Sequence, residues 1–201
     1  MRCAVALLSL VLAACASQPP GPAISPAAPA SRAATVPGGL RLADPGFESE
    51  IPAARNCPLQ WTCQVHVDPK SFRIATDAID AAAGRQSLLI EKVGPEPWVT
   101  VQQSLAAREA LGKRIRFTLD VRMAGVAGRG AGPWILLRGP SGVIEHKETL
   151  STGTSGWRKV AVEVDVPPQT ERIEVGAILE ADGRLWVDDA FLEILPAAGG
   201  R

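Results

Sequence analysis

Two tryptophans occupy positions from which an indole ring would point away from the core of a β-sheet. Trp98 alternates with the apolar residue Val99, and Trp134 alternates with Ile135. Successive side chains of a strand point to opposite faces, so each tryptophan faces away from its apolar neighbours. Aromatic rings are apolar enough to stack on the flat faces of sugar rings. The sequence therefore predicts a sugar-binding surface that contains Trp98 and Trp134.

Polar side chains share this outward parity along the same predicted strands. Amide, carboxylate and guanidinium groups can form hydrogen bonds with sugar hydroxyls or with a sugar carboxylate. These candidate ligand-binding residues are Gln102, Asp120, Arg122 and Arg138.

Enzyme chemistry and nucleic-acid binding are disfavoured. The chain has 2 histidines, His66 and His146, and it lacks the Gly-x-Ser-x-Gly sequence that presents a nucleophilic serine. The glycine-rich segment 128–133 lacks the Lys-Ser/Thr pair of a phosphate-binding loop, so we interpret it as a hairpin loop. The 21 basic residues are balanced by 21 acidic residues. Nucleic-acid-binding domains normally carry a basic excess.

A pair of cysteines, Cys57 and Cys63, lies near the start of the predicted domain. Such a pair forms a disulfide in an oxidising compartment, and a loop of this size gains about 2–3 kcal/mol of stability. The alternative is a pair of metal ligands. A zinc site would need a second Cys/His pair at suitable spacing, and only His66 follows.

Period-two alternation of apolar residues recurs along the chain and predicts short β-strands. It is clearest at residues 61–67, 99–102, 115–121, 160–166 and 173–179. Turn signals rich in glycine and proline separate these runs, including the stretches 125–133, 153–156 and 182–183. One segment, 104–111, has helical character. The pattern predicts an all-β sandwich of about nine to eleven strands.

The order of several short motifs resembles one family of domains. They are DPGFE at 44–48, GRQSL at 84–88, VQQSL at 101–105, GKRIRF at 112–117, GWRKV at 156–160 and LWVDDAFLE at 185–193. This series resembles the galactose-binding-domain-like jelly rolls, which include many bacterial carbohydrate-binding modules. Ile115 departs from the family pattern, which often has tyrosine there. The resemblance implies a jelly-roll β-sandwich and a glycan as the partner.

The resemblance also assigns structural roles. Trp157 and Trp186 occupy positions that usually pack in or beside the core, and Arg122 matches a position that is buried for structural reasons. Two interpretations of Arg122 therefore stay open, as do two for Trp98, which either binds ligand or covers a sheet edge. We expect Trp61 to pack against the Cys57–Cys63 loop.

A structural calcium ion is a further implication of the resemblance. Related modules often bind calcium through an early glutamate and the first aspartate of the terminal pair, which correspond here to Glu48 and Asp188. Asp189 is a weaker candidate. Carboxylate oxygens are the ligands that calcium prefers. The alternative is that one aspartate caps a turn while the other is solvated.

The first residues resemble the signal peptide of a bacterial lipoprotein. Arg2 supplies a positive charge, an apolar run follows, and Leu-Ala-Ala-Cys ends at Cys15. In a lipobox of this kind the cysteine is lipidated. Ala16 stands where aspartate would retain the protein in the inner membrane, so we expect the outer membrane. Several acyl chains would hold the protein there.

These observations divide the chain into four parts. We predict a signal peptide at 1–14, the lipidated Cys15 with a Pro/Ala-rich linker at 15–39, a β-sandwich at 40–195 and a disordered tail at 196–201. The predicted function is that of a membrane-anchored, non-catalytic carbohydrate-binding lipoprotein. The alternative is a structural or interaction lipoprotein that binds a protein or the cell wall through the same sandwich.

Overall fold

The structure is a computed structural model that describes residues 40–52 and 54–196. The predicted signal peptide, the lipidated Cys15, the linker at 15–39 and residues 197–201 of the predicted tail lie outside the described residues. Within the described ranges, no helix is long and apolar enough to cross a membrane.

The described residues form antiparallel strands joined by short connections. One short 3-10 helix, Pro69–Ser71, precedes the second strand. The eight strands are β1 (Thr62–Val65), β2 (Phe72–Asp77), β3 (Ser87–Lys92), β4 (Val99–Ala106), β5 (Arg114–Gly139), β6 (Gly142–Glu148), β7 (Ser151–Asp165) and β8 (Arg172–Ile194). The all-β prediction is confirmed.

Strands β5 and β8 are long enough to serve both layers of the fold. Residues 172–180 of β8 pair with β4 and with residues 130–138 of β5, and β1 and β6 flank this group. We call this layer the front sheet. Residues 184–194 of β8 pair with β3 and with the first half of β5, and β2 and β7 flank them. We call this layer the back sheet.

Glycines allow β5 and β8 to pass from one sheet to the other. Gly125, Gly128, Gly130 and Gly183 have φ values of 62°, 88°, 118° and 108°, and the β5–β8 register shifts at this place. A side chain on Gly183 would collide with the backbone of Gly125, at 2.6 Å. The sequence prediction of turns at 125–133 and 182–183 is wrong, because these glycines form bulges inside continuous strands.

The predicted helical segment at 104–111 is also wrong. β4 continues to Ala106, with Leu105 opposite Ile173 and Ala106 opposite Arg172. Pairing with β8 decides the backbone conformation here, because it supplies hydrogen bonds that a helical turn would forfeit. Residues 108–112 form turns.

The core lies between the two sheets and is almost entirely aliphatic. Ile135, Leu137 and Val175 come from the front sheet, and Phe117 and Leu119 from the back sheet. They are the residues that the alternation assigned to the inner faces. Sequence alternation therefore predicted the core correctly.

The DPGFE motif closes one side of the core. Phe47 stacks on Trp61 with 4.7 Å between ring centroids, and the Trp61 Nε1–H group donates to the Asp44 carbonyl at 3.2 Å. The Ala190 N–H group donates to the Pro45 carbonyl. These contacts place the start of the domain beside its last strand.

The predicted disulfide is confirmed. Cys57 and Cys63 are joined by a bond of 2.10 Å, with their Cα atoms 5.8 Å apart. Cys63 lies on β1 opposite Val101, so the bridge ties the loop before β1 to the front sheet. Trp61 lies between the two cysteines and is buried, and its ring stacks on Phe47 of the DPGFE motif.

Candidate functional site

The outer face of the front sheet carries one row of residues that crosses all five strand segments. Trp134 of β5 is the register partner of Glu148 on β6 and of Gly176 on β8. Gly176 is in turn opposite Gln102 on β4, which is opposite Thr62 on β1. We call the outer face around this row the front face.

The centre of the front face is covered by neighbouring side chains. The relative exposures of Trp134, Gln102 and Glu174 are 4%, 6% and 7%, although all three point away from the core. Outward residues of a solvated antiparallel sheet are normally exposed. Their burial shows that polar and aromatic side chains pack against one another on this face.

Two atoms at the centre of the front face are buried and unsatisfied. Trp134 Nε1 and Glu148 Oε2 have no hydrogen-bond partner among the described residues. A buried donor or acceptor without a partner costs about 1–3 kcal/mol. Trp134 Nε1 carries a proton to donate, and Glu148 Oε2 can accept one. A single hydroxyl group can satisfy both, because it accepts and donates at once.

Arginines hold the carboxylates of the front face in place. Arg129 contacts Glu148 Oε1 closely and donates to Glu180 Oε2 at 2.7 Å. These two carboxylates raise the pKa of Arg129 above its ordinary value, chiefly through the hydrogen bond to Glu180. Arg138 donates to Glu174 Oε1 at 2.7 Å. Glu148 is thus fixed by one oxygen, while its other oxygen is buried without a hydrogen-bond partner among the described residues.

His146 completes this cluster. Its ring meets the Trp134 indole edge-on, with 5.8 Å between centroids and an angle of 84°. Its Nε2 atom is 3.9 Å from Glu148 Oε2. Both residues lie on β6 two positions apart, so they share one face of the strand.

Four of the predicted ligand-binding residues lie on this face. Trp134, Gln102 and Arg138 belong to the front sheet, as described above. Trp98 is partly buried, immediately precedes β4 and has the same side-chain parity as Gln102. Four residues of strand, about 13 Å, separate Trp98 from Gln102 along the chain. Trp98 therefore stands near one end of the front face.

The other two predicted ligand-binding residues do not join them. Asp120 and Arg122 lie on the first half of β5, in the back sheet, where Asp120 accepts from Lys159 at 3.0 Å. Arg122 contacts Asp80 and stacks over Trp186 at 4.4 Å. The sequence placed all six on one face because alternation does not reveal that β5 bends between the sheets.

Sequence reasoning missed Glu148, His146 and Arg129 as parts of one site. Arg129 lies in the segment 128–133, which we interpreted as a hairpin loop, and neither His146 nor Glu148 was among the predicted ligand-binding residues. The alternation of His146 and Glu148 along β6 was the available signal. Only the pairing of β6 with β5 brings these two side chains to Trp134.

No protein-family model matches this chain. A curated protein of Bacillus subtilis, described as the uncharacterized HTH-type transcriptional regulator YbfP, is 25% identical over 134 residues. The match covers 62% of this chain and 44% of that protein, so the chain spans less than half of the length of this relative.

Solved structures resemble the chain over most of its length. The xylan-binding domain CBM22-1 of Paenibacillus barcinonensis Xyn10C gives a TM-score of 0.54 at 18% identity, over 80% of this chain and 97% of that one. A family 16 carbohydrate-binding module-2 gives 0.55 at 11% identity, over 75% and 97%. The enzymatically active domain of bacteriophage CBA120 tailspike protein 4 gives 0.53 at 11%, over 67% and 19%.

The fold is a jelly-roll β-sandwich. At these identities the similarity concerns the fold alone, and it confirms the architecture expected from the order of the motifs. Function has to be argued from the site, because one fold hosts many functions.

The outer face of the back sheet of this jelly roll is covered by residues 77–86, which we call the strap. Trp186 Nε1 donates to Asp77 Oδ2 at 2.8 Å, and Trp157 Nε1 donates to Asp80 Oδ1 at 2.6 Å. The Trp186 hydrogen bond lowers the pKa of Asp77. These indoles anchor a connection, which is the structural role expected for both.

Asp188 also holds the strap, because its carboxylate accepts hydrogen bonds from the strap backbone. Its Oδ2 atom accepts from the amides of Ala82 and Ala83, each at 2.9 Å, and its Oδ1 atom accepts from the Asp189 amide at 2.7 Å. Burial raises the pKa of Asp188 to about 6, against the opposite effect of these N–H groups. Asp189 has a positive φ of 45° and pairs with Lys159 at 3.1 Å.

The predicted calcium ligands are held by N–H donors in this structure. Glu48 accepts from the Arg85 amide at 2.8 Å and from its guanidinium at 3.2 Å, while Asp188 accepts from three amides. The described part of the chain contains no group of three or more His, Cys, Asp or Glu side chains arranged to hold a metal ion. This donor set does not fit a calcium cage. In this arrangement we therefore do not expect Glu48, Asp188 and Asp189 to bind calcium, and a melting experiment has to test the prediction.

Proposed function

We propose that this protein is a non-catalytic glycan-binding module whose ligand lies on the front face. The observation that carries the proposal is the buried pair of unsatisfied atoms, Trp134 Nε1 and Glu148 Oε2, on adjacent strands. A sugar hydroxyl can satisfy both atoms once the side chains that cover them move aside, because a hydroxyl accepts and donates at once. The partly exposed indole of Trp98 can contact an apolar ring face, whereas Trp134 is only 4% exposed.

The remaining residues of the front face suit an extended ligand. Gln102 lies across Gly176 from Trp134, and Trp98 lies further along the same face. A Cβ atom on Gly176 would lie 2.1 Å from the Val101 carbonyl oxygen, so this glycine lets β4 and β8 approach closely and opens no space for a ligand. A chain of several sugar units would run along this face from Trp98 toward Gln102 and Trp134.

Two of the solved jelly rolls support this proposal by what they bind. One is described as a xylan-binding domain, and another, TmCBM61, was solved in complex with β-1,4-galactotriose at a TM-score of 0.51 and 14% identity. The proposed role is binding without catalysis, because Glu148, Glu174 and Glu180 are each held by an arginine. Each salt bridge holds its carboxylate in a fixed position, which suits a role in orienting a ligand.

The proposal includes a membrane anchor. The lipobox ending at Cys15 and the Pro/Ala-rich stretch after it support a lipidated protein of the bacterial outer membrane, with the jelly roll held away from the lipid. A glycan of the cell envelope or its surroundings is then within reach.

Binding of the purified full chain to a glycan array, followed by calorimetry with the best ligand, tests the proposal. We expect Glu148→Gln and Trp134→Phe each to weaken binding by about tenfold, the value of one buried hydrogen bond of this kind. Trp157→Phe, on the back sheet, is the matched control and keeps the wild-type affinity. Failure to bind any glycan, with a protein partner recovered by crosslinking, would favour the interaction lipoprotein instead.

A further inference from the structure

Trp98 differs from the other tryptophans in that the fold makes no visible use of its ring. The other four have partners, which are an Nε1 hydrogen bond at Trp61, Trp157 and Trp186 and an edge-on ring contact at Trp134. Among the described residues, the indole of Trp98 has no hydrogen bond, stacked ring or cation against it, and the residue is partly exposed. A tryptophan that serves the fold normally finds such a partner. The packing of the domain therefore does not account for Trp98.

Strand register places a polar side chain on each side of Trp98. β1 pairs with β4 as far as Val99, and one step further along both strands puts His66 opposite Trp98. β4 also pairs with β8 as far as Val99, and one step further puts Glu180 opposite Trp98. Residues that lie directly opposite each other on antiparallel strands point to the same face. His66, Trp98 and Glu180 therefore form a row at one end of the front face, which we call the end row.

Glu96 holds His66 in the end row. Its Oε2 atom accepts from the Val67 amide at 3.0 Å and lies 3.3 Å from Nδ1 of His66, so it joins the end of β1 to the residues before β4. This contact engages one ring nitrogen and leaves Nε2 for another partner. The His66 side chain is 62% exposed, so a ligand can reach Nε2 from solvent. A sugar hydroxyl suits this nitrogen whether or not it carries a proton, because a hydroxyl both donates and accepts.

The charges around the end row indicate which kind of sugar it accepts. Glu96 and Glu180 lie on either side of Trp98, and Arg129, which donates to Glu180 at 2.7 Å, is shared with Glu148. Three carboxylates therefore share one guanidinium. Like charges repel, so a sugar unit that carries a carboxylate would be disfavoured beside the indole. An uncharged unit meets no such repulsion.

We propose that Trp98 and His66 bind one uncharged sugar unit at the end row of the front face. The indole contacts the apolar face of the sugar ring, and Nε2 of His66 forms a hydrogen bond with one of its hydroxyls. Both side chains already reach solvent, whereas Trp134 at the centre of the face is covered. The inference rests on the proposed glycan function, and it adds His66 as a binding residue and Glu96 as the residue that positions it.

A glycan array that carries xylan, β-1,4-galactan and polygalacturonate tests the inference with dilution series of the purified full chain. We expect the wild type to bind at least one of the two neutral polysaccharides, and to bind it more tightly than polygalacturonate. Trp98→Ala should weaken this binding by about 30-fold, the usual effect of truncating a central aromatic contact. His66→Ala should weaken it by about fivefold, the value of one neutral hydrogen bond. Val67→Ala, at an exposed position next to His66, is the control and keeps the wild-type affinity.

Glu96→Gln keeps an acceptor for the Val67 amide and removes one charge, so it should reduce the discrimination against polygalacturonate.

Three results overturn the inference while leaving the proposed function standing. The first is a wild-type preference for polygalacturonate, and the second is wild-type affinity in both Trp98→Ala and His66→Ala. The third is a lower melting temperature of Trp98→Ala with undiminished binding, which would show that Trp98 covers the sheet edge. Absence of wild-type binding to every glycan on the array would instead overturn the proposed function.

Discussion

The Nε1–H group of Trp157 on β7 donates a hydrogen bond of 2.6 Å to Oδ1 of Asp80 in the strap. Asp80 also pairs with Arg122, whose guanidinium lies over the Trp186 ring, and Trp186 binds Asp77. The strap is thus held by two indole N–H groups that come from different strands of the back sheet.

Trp157→Phe removes one of these bonds and keeps most of the aromatic ring. We expect the free energy of unfolding to fall by about 1–3 kcal/mol, the usual effect of losing a hydrogen bond to a charged group. Asp80→Asn is expected to cost more, because it also leaves Arg122 without its carboxylate. Urea unfolding followed by tryptophan fluorescence measures both, with Ile79→Ala, a fully exposed strap position, as the control. Equal stability of Trp157→Phe and wild type would contradict the anchoring role.

Removal of the disulfide should lower stability without changing the fold. In the chain-entropy account, a bridge over a loop of this size contributes about 2–3 kcal/mol. The double variant Cys57→Ser/Cys63→Ser is therefore expected to melt about 5–10 °C below the wild type. Calorimetric scans of both proteins with and without reductant check this. Reductant should lower the wild-type melting temperature and leave that of the variant unchanged.

The buried carboxyl of Asp188 gives stability a specific pH dependence. Its pKa is raised to about 6 from 3.8, so the folded state binds the proton more tightly than the unfolded state does. The stabilising contribution is complete below about pH 4 and is lost as pH rises through about 6. Relative to Asp188→Asn, which cannot ionise, the wild type should become less stable between pH 4 and 7.

Denaturant melts of both proteins across this pH range provide the measurement. A stability difference that stays constant with pH, or that moves the opposite way, would be inconsistent with a raised pKa. Because Asp188→Asn disturbs the amides of Ala82 and Ala83, a carbon-detected NMR titration of the wild-type carboxyl supplies an independent value.

The effect of calcium on the melting temperature tests the predicted calcium site. Since Glu48, Asp188 and Asp189 already accept from N–H donors, we expect the same melting temperature in millimolar calcium and in chelator. A rise with calcium that Glu48→Gln abolishes would show that these carboxylates rearrange around a cation. Magnesium at the same concentration controls for ionic strength.

Lipidation of Cys15 predicts where the protein is found in a Gram-negative host. Full-length wild type should fractionate with the outer membrane, and Cys15→Ser should lose membrane association. Cys57→Ser leaves the lipobox intact and is the matched control. We expect Ala16→Asp to move the protein to the inner membrane. Membrane retention of Cys15→Ser would contradict lipid anchoring at this residue.

The sequence by itself determined the all-β class, the inner faces of the strands and the disulfide. Alternation has a period of two, so it separates inward Ile135 from outward Trp134 without knowledge of any partner. The cysteine pair is likewise local, since only a few residues separate Cys57 from Cys63. These features depend on residues that are close to one another along the chain, so they can be predicted from the sequence.

The tertiary structure alone decided which outward residues meet. Asp120, Arg122 and Arg138 share one strand and one parity, yet the glycine bulges of β5 send the first two to the back sheet. Because of the same bulges, the segment 128–133, which we expected to be a hairpin loop, is part of β5 and carries Arg129. Residues 104–106 became strand through pairing with β8.

The candidate site shows the same division. Trp134 was predicted as an outward tryptophan, but its partnership with Glu148 and His146 arises when β6 pairs with β5. Trp134 Nε1 and Glu148 Oε2 are buried and unsatisfied on two different strands, β5 and β6. Strand pairing and burial join residues far apart in the chain, and period-two alternation carries no information about which strand lies beside which.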